Sequence, residues 1–398
     1  MPIGITETPE HHTFSLLKHW KPEEEKALLS QMELLQKKFP DLFSHLYLRI
    51  QQEYPHLPKR KDGKNAIVHP LNVARNLTLA NINDELTLSA GLAHDLVEEQ
   101  VDQYQHEHKI KAKTLSGIKI LDGQEGKVVE ALEKELLHSR KSKITVPEIK
   151  ELLQIVQLLT RHKRHYYYRS ISQIYTRKND GIKEKAIQVK LADRIHNIQC
   201  LSCFTGEEKL YQCFKNLFIL NNTKRYLLEI QESDALLSQK AITPTEKLFK
   251  KCAKATYDAF LEVCGFYRHK EIAGITSMLQ LAFKKFALEK KGLWAVTEAN
   301  PEEVHPLRLF QGIIKKYDAR LHLEWDKFNE LKEAEKEYCR RFFSDFNFNE
   351  KQLDALIWYK DAYALKEVVA MLLYDSRYVV DGFSCSQLCT RGRICMQE

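Results

Sequence analysis

The chain has 398 residues, and only 14 glycines and 11 prolines stand beside long stretches of Leu, Lys, Glu and Ala, a composition that argues for a mostly helical protein. No apolar run reaches the roughly 18 residues that a membrane span needs. The net charge of +7, from 61 basic against 54 acidic residues, is mild; it suits an anionic small molecule as well as a nucleic acid and singles out neither.

The opening MPIGITETPEHHTFSLL lacks the basic start and apolar core of a secretory leader. With an odd nine cysteines, this leads us to expect reduced thiols and a cytoplasmic location. A first helix begins near Pro22, with Glu23 to Glu25 in its first turn and Leu28, Met32, Leu35 and Phe39 on one stripe. Pro40-Asp41 ends it and starts another carrying Leu42, Leu46 and Ile50. Pro70 suits the first turn of a further helix, which puts His69 at its start with the ring free to point into a cleft. From Asn83, with Asn83 or Asp84 as N-cap, a helix runs through GLAHDLVEEQ; His94 and Glu98, and likewise Asp95 and Glu99, then stand at i and i+4.

The polar, glycine-bearing TLSGIKILDGQEGK reads as a loop or insertion. In KAIQVKLADRIHNIQ, Ile187, Leu191, Ile195 and Ile198 form a buried stripe, while Lys190, Asp193 and Asn197 share another face. A helix follows through the Cys213 to Tyr226 region, and AITPTE reads as a linker whose Pro244 and Thr245 suit a helix entry. From about residue 241 the pattern is helix after helix, interrupted at AVTEANPEEVHP, with a charged helix from Leu321 to Phe343 and a final amphipathic one from Leu353 to Tyr374. There is no internal repeat, and none of the alternating strands that a nucleotide pyrophosphoryl transferase domain needs.

Three stretches carry chemistry: His69 in IVHPLNVARNL, His94-Asp95 in GLAHDLVEEQ, and Asp193 in VKLADRIHNIQ. Two imidazoles and two carboxylates make a ligand set for one divalent cation that keeps open positions for water and a phosphoryl oxygen. Most of the 16 histidines are ordinary polar residues; the apolar helical frames set these two apart. Cys200 and Cys203 have no second pair at zinc-site spacing, and the set Cys385, Cys389 and Cys395 is equally incomplete. Lys163, Arg164 and Tyr166 to Tyr168 form a basic, tyrosine-rich cluster that reads more readily as half-buried packing than as a base-stacking pocket.

From about residue 40 to 230 the chain resembles the HD superfamily of metal-dependent phosphohydrolases, and within it the hydrolase domain of the RelA/SpoT (Rel/Spo homologue) proteins and the small alarmone hydrolases. The words that carry the likeness are RKDGKNAIVHPLNVA, AGLAHDLVEE, LLTRHKRHYYYRSI and VKLADRIHN. The resemblance implies an all-α HD-domain helical bundle with His69, His94, Asp95 and Asp193 as metal ligands and manganese as the ion. It places Glu98 and Glu99 where the family has a glutamate-aspartate pair that orients or deprotonates water, with Glu98 the preferred base. It also makes Arg60, Lys61 and Asn197 substrate contacts. Glu99, Asp62, Lys64, Asn65 and Ala66 depart from the family pattern, which bears on substrate identity more than on metal binding.

The expected organisation is an N-terminal arm and helix over 1–40, an HD hydrolase domain over 41–240 with an insertion about 103–145, and a C-terminal helical extension over 241–398 that could bind a protein partner. The expected activity is removal of the 3′-pyrophosphate from guanosine tetra- or pentaphosphate, giving GDP or GTP and pyrophosphate, without a membrane or a specific nucleic-acid partner. Two other readings use the same residues: an HD phosphohydrolase acting on another nucleotide or phosphorylated metabolite, and a low-activity HD scaffold with a partner-binding helical half.

Overall fold

The computed structural model describes residues 18–138, 144–230, 243–270, 310–374, 377–380 and 383. Every regular element among them is helical and none is a strand, so the protein is all-α. No helix among the described residues is long and apolar enough to cross a membrane.

The described residues fall into two compact units. One comprises residues 20–138, 144–203 and 243–249, and the other 18–19, 204–230, 250–270, 310–374, 377–380 and 383. The division after residue 203 differs from the expected one near 240. The helix Gly206–Ile230 groups with the later helices because its buried stripe, Phe214, Leu217 and Phe218, meets Tyr317 and Phe383.

In the first unit the helices are α1 (Glu25–Lys38), α2 (Leu42–Glu53), α3 (Val68–Leu79), α4 (Glu85–Ala93), α5 (Leu96–Glu107), α6 (Leu115–His138), α7 (Val146–Leu159), α8 (Tyr167–Thr176) and α9 (Gly181–Gln199). Their starts are set by local chemistry. Asp84 accepts a hydrogen bond from the Thr87 N–H at 2.8 Å, Thr145 and Glu148 form a reciprocal capping box, and Asp180 accepts from the Lys183 N–H at 2.8 Å.

The core is where α3, α4 and α9 meet. Leu71, Val73, Ala74 and Leu77 of α3, Leu88, Ala90 and Leu92 of α4, and Ile187, Val189, Leu191 and Ile195 of α9 are all fully buried. Each large aliphatic side chain there contributes roughly 1.5–3 kcal/mol relative to an exposed one. Gly91 lets α3 and α4 approach closely, since a Cβ at that position would come within 2.6 Å of Leu77 Cδ1. α1 docks on the same core: Glu23 donates its N–H to Asn72 Oδ1 at 2.9 Å and Arg75 donates to the Lys21 carbonyl at 3.1 Å. The N-terminal helix is thereby part of the unit that carries His69.

Three local expectations change. The helix expected to run from Asn83 through Glu99 is two helices, with His94 and Asp95 at the turn between α4 and α5. The stretch read as a loop lies largely in α6, whose Ile118, Leu121, Val128, Leu132 and Leu136 are buried at helical spacing; Gly123 and Gly126 have only open space around them and so do not interrupt packing.

The second unit contains α10 (Gly206–Ile230), most of α11 (Pro244–Lys270), α12 (Phe310–Leu321), α13 (Trp325–Phe342) and α14 (Glu350–Tyr374). The third change is α14, expected to be amphipathic, whose residues 355 to 369 are instead buried all round. Its charged residues are buried in pairs: Lys360 with Glu335, and Asp361 with Lys316 at 2.5 Å, which also pairs with Glu335. The interruption at 295–306 and the tail cysteines Cys385, Cys389 and Cys395 lie outside the described residues.

Candidate metal centre

His69 sits in the first turn of α3, as Pro70 requires, and His94 and Asp95 form the α4–α5 turn. Their side chains converge: His69 Nε2 lies 3.1 Å from His94 Nε2, and each of those nitrogens is 3.2 Å from Asp95 Oδ2. Asp193, from the middle of α9, brings its Oδ1 to 3.4 Å from His69 Nε2. The four residues expected as ligands are therefore neighbours, drawn from three segments of the chain.

The donor set fits a divalent cation. His94 places its Nδ1 2.9 Å from the Gly91 carbonyl, which fixes the proton there and turns the Nε2 lone pair inward. That lone pair faces His69 Nε2 and a carboxylate oxygen, an arrangement of acceptors that only a shared proton or a cation relieves. Neighbouring ligands of an octahedral ion at about 2.1 Å lie roughly 3 Å apart, close to the separations seen here. His69, His94 and Asp95 each offer one such atom within 4.8 Å of the others.

Electrostatics hold the acids ionised. Burial alone would raise the Asp193 carboxyl, but Lys190, at 2.8 Å from Oδ2, together with His69 and His94 keeps it well below the usual aspartate range. Burial is likewise outweighed at Asp95, held well below its ordinary value by His94 and His69. At His94 burial opposes the imidazolium, but the Asp95 carboxylate prevails and raises its pKa.

The two acids of α5 differ. Glu98 is committed to Arg161: its Oε1 is 2.8 Å from the guanidinium Nη2 and its Oε2 accepts from the Arg161 backbone N–H at 3.2 Å. Glu99, half-buried, has its pKa pushed up to about 7, by burial first and then by the charges of Asp95, Asp102 and Glu98. The Tyr54 hydroxyl is buried without a hydrogen-bond partner among the described residues, and it feels the charges of Asp95 and Glu99.

The expected substrate contacts are partly assembled. Arg60 opens a turn in which the Gly63 N–H donates to its carbonyl at 2.8 Å, and Gly63 takes φ +80°, the left-handed conformation that glycine tolerates best. The Arg60 guanidinium donates to Asn197 Oδ1 at 3.1 Å, and Asn197 Nδ2 donates to Asp193 Oδ1, so two expected substrate residues are wired to a metal-ligand candidate. Lys61 is exposed.

Three of the residues that depart from the expected pattern, Asp62, Lys64 and Asn65, have structural partners. Asp62 Oδ1 accepts from the Lys64 N–H at 3.2 Å, Lys64 pairs with Glu24 at 3.1 Å, and Asn65 donates to Glu25 at 2.8 Å. They tie the basic loop to α1.

Two site residues went unassigned in the sequence. Arg161 lies in the LLTRHKRH block, and its pairing with Glu98 bridges 63 positions that no local pattern reports. His196 directly precedes Asn197, yet helical phasing alone does not reveal that its Nδ1 lies 2.8 Å from His69 Nδ1. Its pKa is driven well below the histidine norm, by burial first and then by His69 and Arg60.

No protein-family model, curated protein or solved structure matches the chain.

Proposed function

We propose that the protein is a metal-dependent phosphohydrolase of the HD type, and that it removes the 3′-pyrophosphate of guanosine tetra- or pentaphosphate. The observation that carries the hydrolase reading is the convergence of His69, His94 and Asp95, with Asp193 alongside, next to an acid whose pKa of about 7 suits proton transfer at neutral pH. These four residues would hold the ion, with manganese expected from the family resemblance. When bound, the cation supplies charge neutralisation at a phosphoryl oxygen and a more acidic water.

The chain's own groups divide the remaining work. The Glu99 carboxylate takes a proton from the attacking water, because a base whose pKa lies near the working pH is about half ionised there and still binds a proton well. Attack at the phosphorus adjoining the ribose 3′-oxygen breaks that P–O bond, and the proton held by Glu99 is available for the departing 3′-oxygen. Glu98 holds Arg161 at the mouth, where a guanidinium can meet phosphate oxygens. This division favours Glu99 over Glu98 as the base, the reverse of the order expected from the resemblance. Arg60, anchored through Asn197, would contact the nucleotide.

The decisive assay follows pyrophosphate release from guanosine tetraphosphate with manganese present. Release that is lost in Asp193→Ala supports the reading. No release, together with hydrolysis of a nucleotide lacking a 3′-phosphate, would assign the chain to the general HD phosphohydrolase class, a reading favoured by the use of Asp62, Lys64 and Asn65 as structural ties. A protein that binds manganese but turns over neither substrate would fit the scaffold reading.

A further inference from the structure

We propose that His196 is the positioning residue for His69, accepting the proton on His69 Nδ1 so that the His69 Nε2 lone pair faces the metal, and that both rings exchange tautomer when metal binds. The inference rests on the metal-centre reading above and extends it to a residue that the ligand set does not include.

The argument is one of proton counting. A neutral imidazole has one N–H and one lone pair, so two ring nitrogens 2.8 Å apart must be one donor and one acceptor. His69 Nε2 can bind a cation only with its lone pair, which places the His69 proton on Nδ1. His196 Nδ1 is then the acceptor, and the His196 proton sits on Nε2. That nitrogen faces Cys200 Sγ at 3.5 Å, one helical turn further along α9, and the thiol sulfur can receive the N–H. Only one arrangement of protons satisfies all three contacts with a metal in place.

Without metal the arrangement inverts. His94 keeps its proton on Nδ1 against the Gly91 carbonyl, so His94 Nε2 is an acceptor facing His69 Nε2 at 3.1 Å. With His94 neutral, that contact is satisfied when His69 carries its proton on Nε2. His69 Nδ1 then accepts from His196 Nδ1–H, and His196 Nε2 accepts from the Cys200 thiol. Loading the site releases the His69 Nε2 proton to solvent, passes one from His196 Nδ1 to His69 Nδ1, and takes one from solvent at His196 Nε2 while Cys200 keeps its thiol proton, so the pair keeps two protons throughout.

Burial gives the arrangement its force. His69, His94 and His196 are 4%, 1% and 1% exposed, so water offers these nitrogens little alternative. A ring lacking an acceptor for its Nδ1–H would turn or tilt, and with it the Nε2 lone pair.

The test measures manganese affinity by electron paramagnetic resonance of the free ion, for the wild-type protein, His196→Phe and His196→Asn. Phenylalanine keeps the ring but offers no acceptor, and affinity should fall about 10- to 100-fold, the usual cost of losing a hydrogen-bond partner behind a metal ligand. Asparagine presents its Oδ1 near the place of Nδ1, and should recover affinity to within a few-fold of wild type. Unchanged affinity in His196→Phe, or equal losses in both variants, would overturn the proposal.

Histidine ¹⁵N spectra of the wild-type protein decide the matter even if the phenylalanine variant does not fold. With diamagnetic zinc, His69 should be the Nδ1–H form and His196 the Nε2–H form, both switching on chelation; the opposite forms, or no switch, would refute it. Wild-type protein that binds no manganese would remove the metal centre and this inference together, whereas normal binding with unaffected variants would remove the inference alone.

Discussion

Glu99→Gln should make the metal-free protein more stable at pH 8 and leave it far less active. The Glu99 pKa is pushed from 4.5 to about 7 in the folded chain. Between those values the unfolded chain has released the proton while the folded chain keeps it, so stability falls as pH rises toward the folded pKa. A rise of about 2.5, at about 1.4 kcal/mol for each pKa step, sets an upper figure of about 3.5 kcal/mol; partial exposure reduces the expected effect to about 2 kcal/mol. Glutamine is uncharged at both ends of the range and escapes this cost. Urea unfolding of chelator-treated wild type and variant at pH 5 and pH 8 measures it: the variant's advantage should grow by about 2 kcal/mol at the higher pH. A stability difference that is the same at both values would show that Glu99 is not held in the field of Asp95, Asp102 and Glu98. In the activity assay the same variant should lose roughly two to four orders of magnitude, the usual range for a positioned base.

Asp193→Ala and His94→Ala should each lower manganese occupancy and abolish turnover, as read by metal analysis after gel filtration. Glu98→Gln should cost only about tenfold, because it weakens the Arg161 contact and leaves the base in place; a loss as large as that of Glu99→Gln in a side-by-side kcat measurement would reinstate Glu98 as the base. Arg60→Lys should raise KM about tenfold with manganese binding intact, since an ammonium lacks the guanidinium's planar fork for Asn197 and phosphate. In the second unit, Lys360→Met should destabilise by roughly 3–5 kcal/mol in thermal or urea unfolding, because Glu335 and Asp361 would remain buried with only Lys316 between them.

Elements with one-sided apolar stripes were legible in the sequence, and those governed by contacts distant in sequence were not. α1 and α2 emerge from Leu28, Met32, Leu42, Leu46 and Ile50, all buried as their spacing requires. α6 was misread because Gly123 and Gly126 weaken its helix propensity, while the burial of Leu121, Val128 and Leu132 that overrides them depends on other helices. α14 was misread for the opposite reason. Its Lys360, Asp361, Lys366 and Glu367 look like a solvated face, yet they are buried beside countercharges, some supplied by α12 and α13. Composition records a charge but not its partner. The same limit explains the unit boundary: AITPTE has the look of a linker, but the apolar face of α10 had already been committed to Tyr317 and Phe383.

At the metal centre the candidate ligands were legible because each sits in a frame that local rules explain: Pro70 places His69 in a first turn, and the polar face of α9 carries Asp193. What surrounds them was not. His94 and Asp95 stand at the junction of two helices rather than within one, yet the Asp95 carbonyl still accepts from the Glu99 N–H at 2.8 Å, so the i, i+4 spacing holds for that pair. The interruption has a physical consequence. In one continuous helix His94 and Asp95 would point about 100° apart; at a turn both aim at His69 Nε2. Asp95 stands at the start of α5 and Glu99 one turn on from it; burial first and then the Asp95 charge push the Glu99 pKa toward neutrality. The proposed metal site and the proposed base thereby share Asp95, so Asp95→Asn should lower metal affinity and bring the Glu99 pKa down together, whereas changes at Arg60 or Glu98 should leave metal affinity in place.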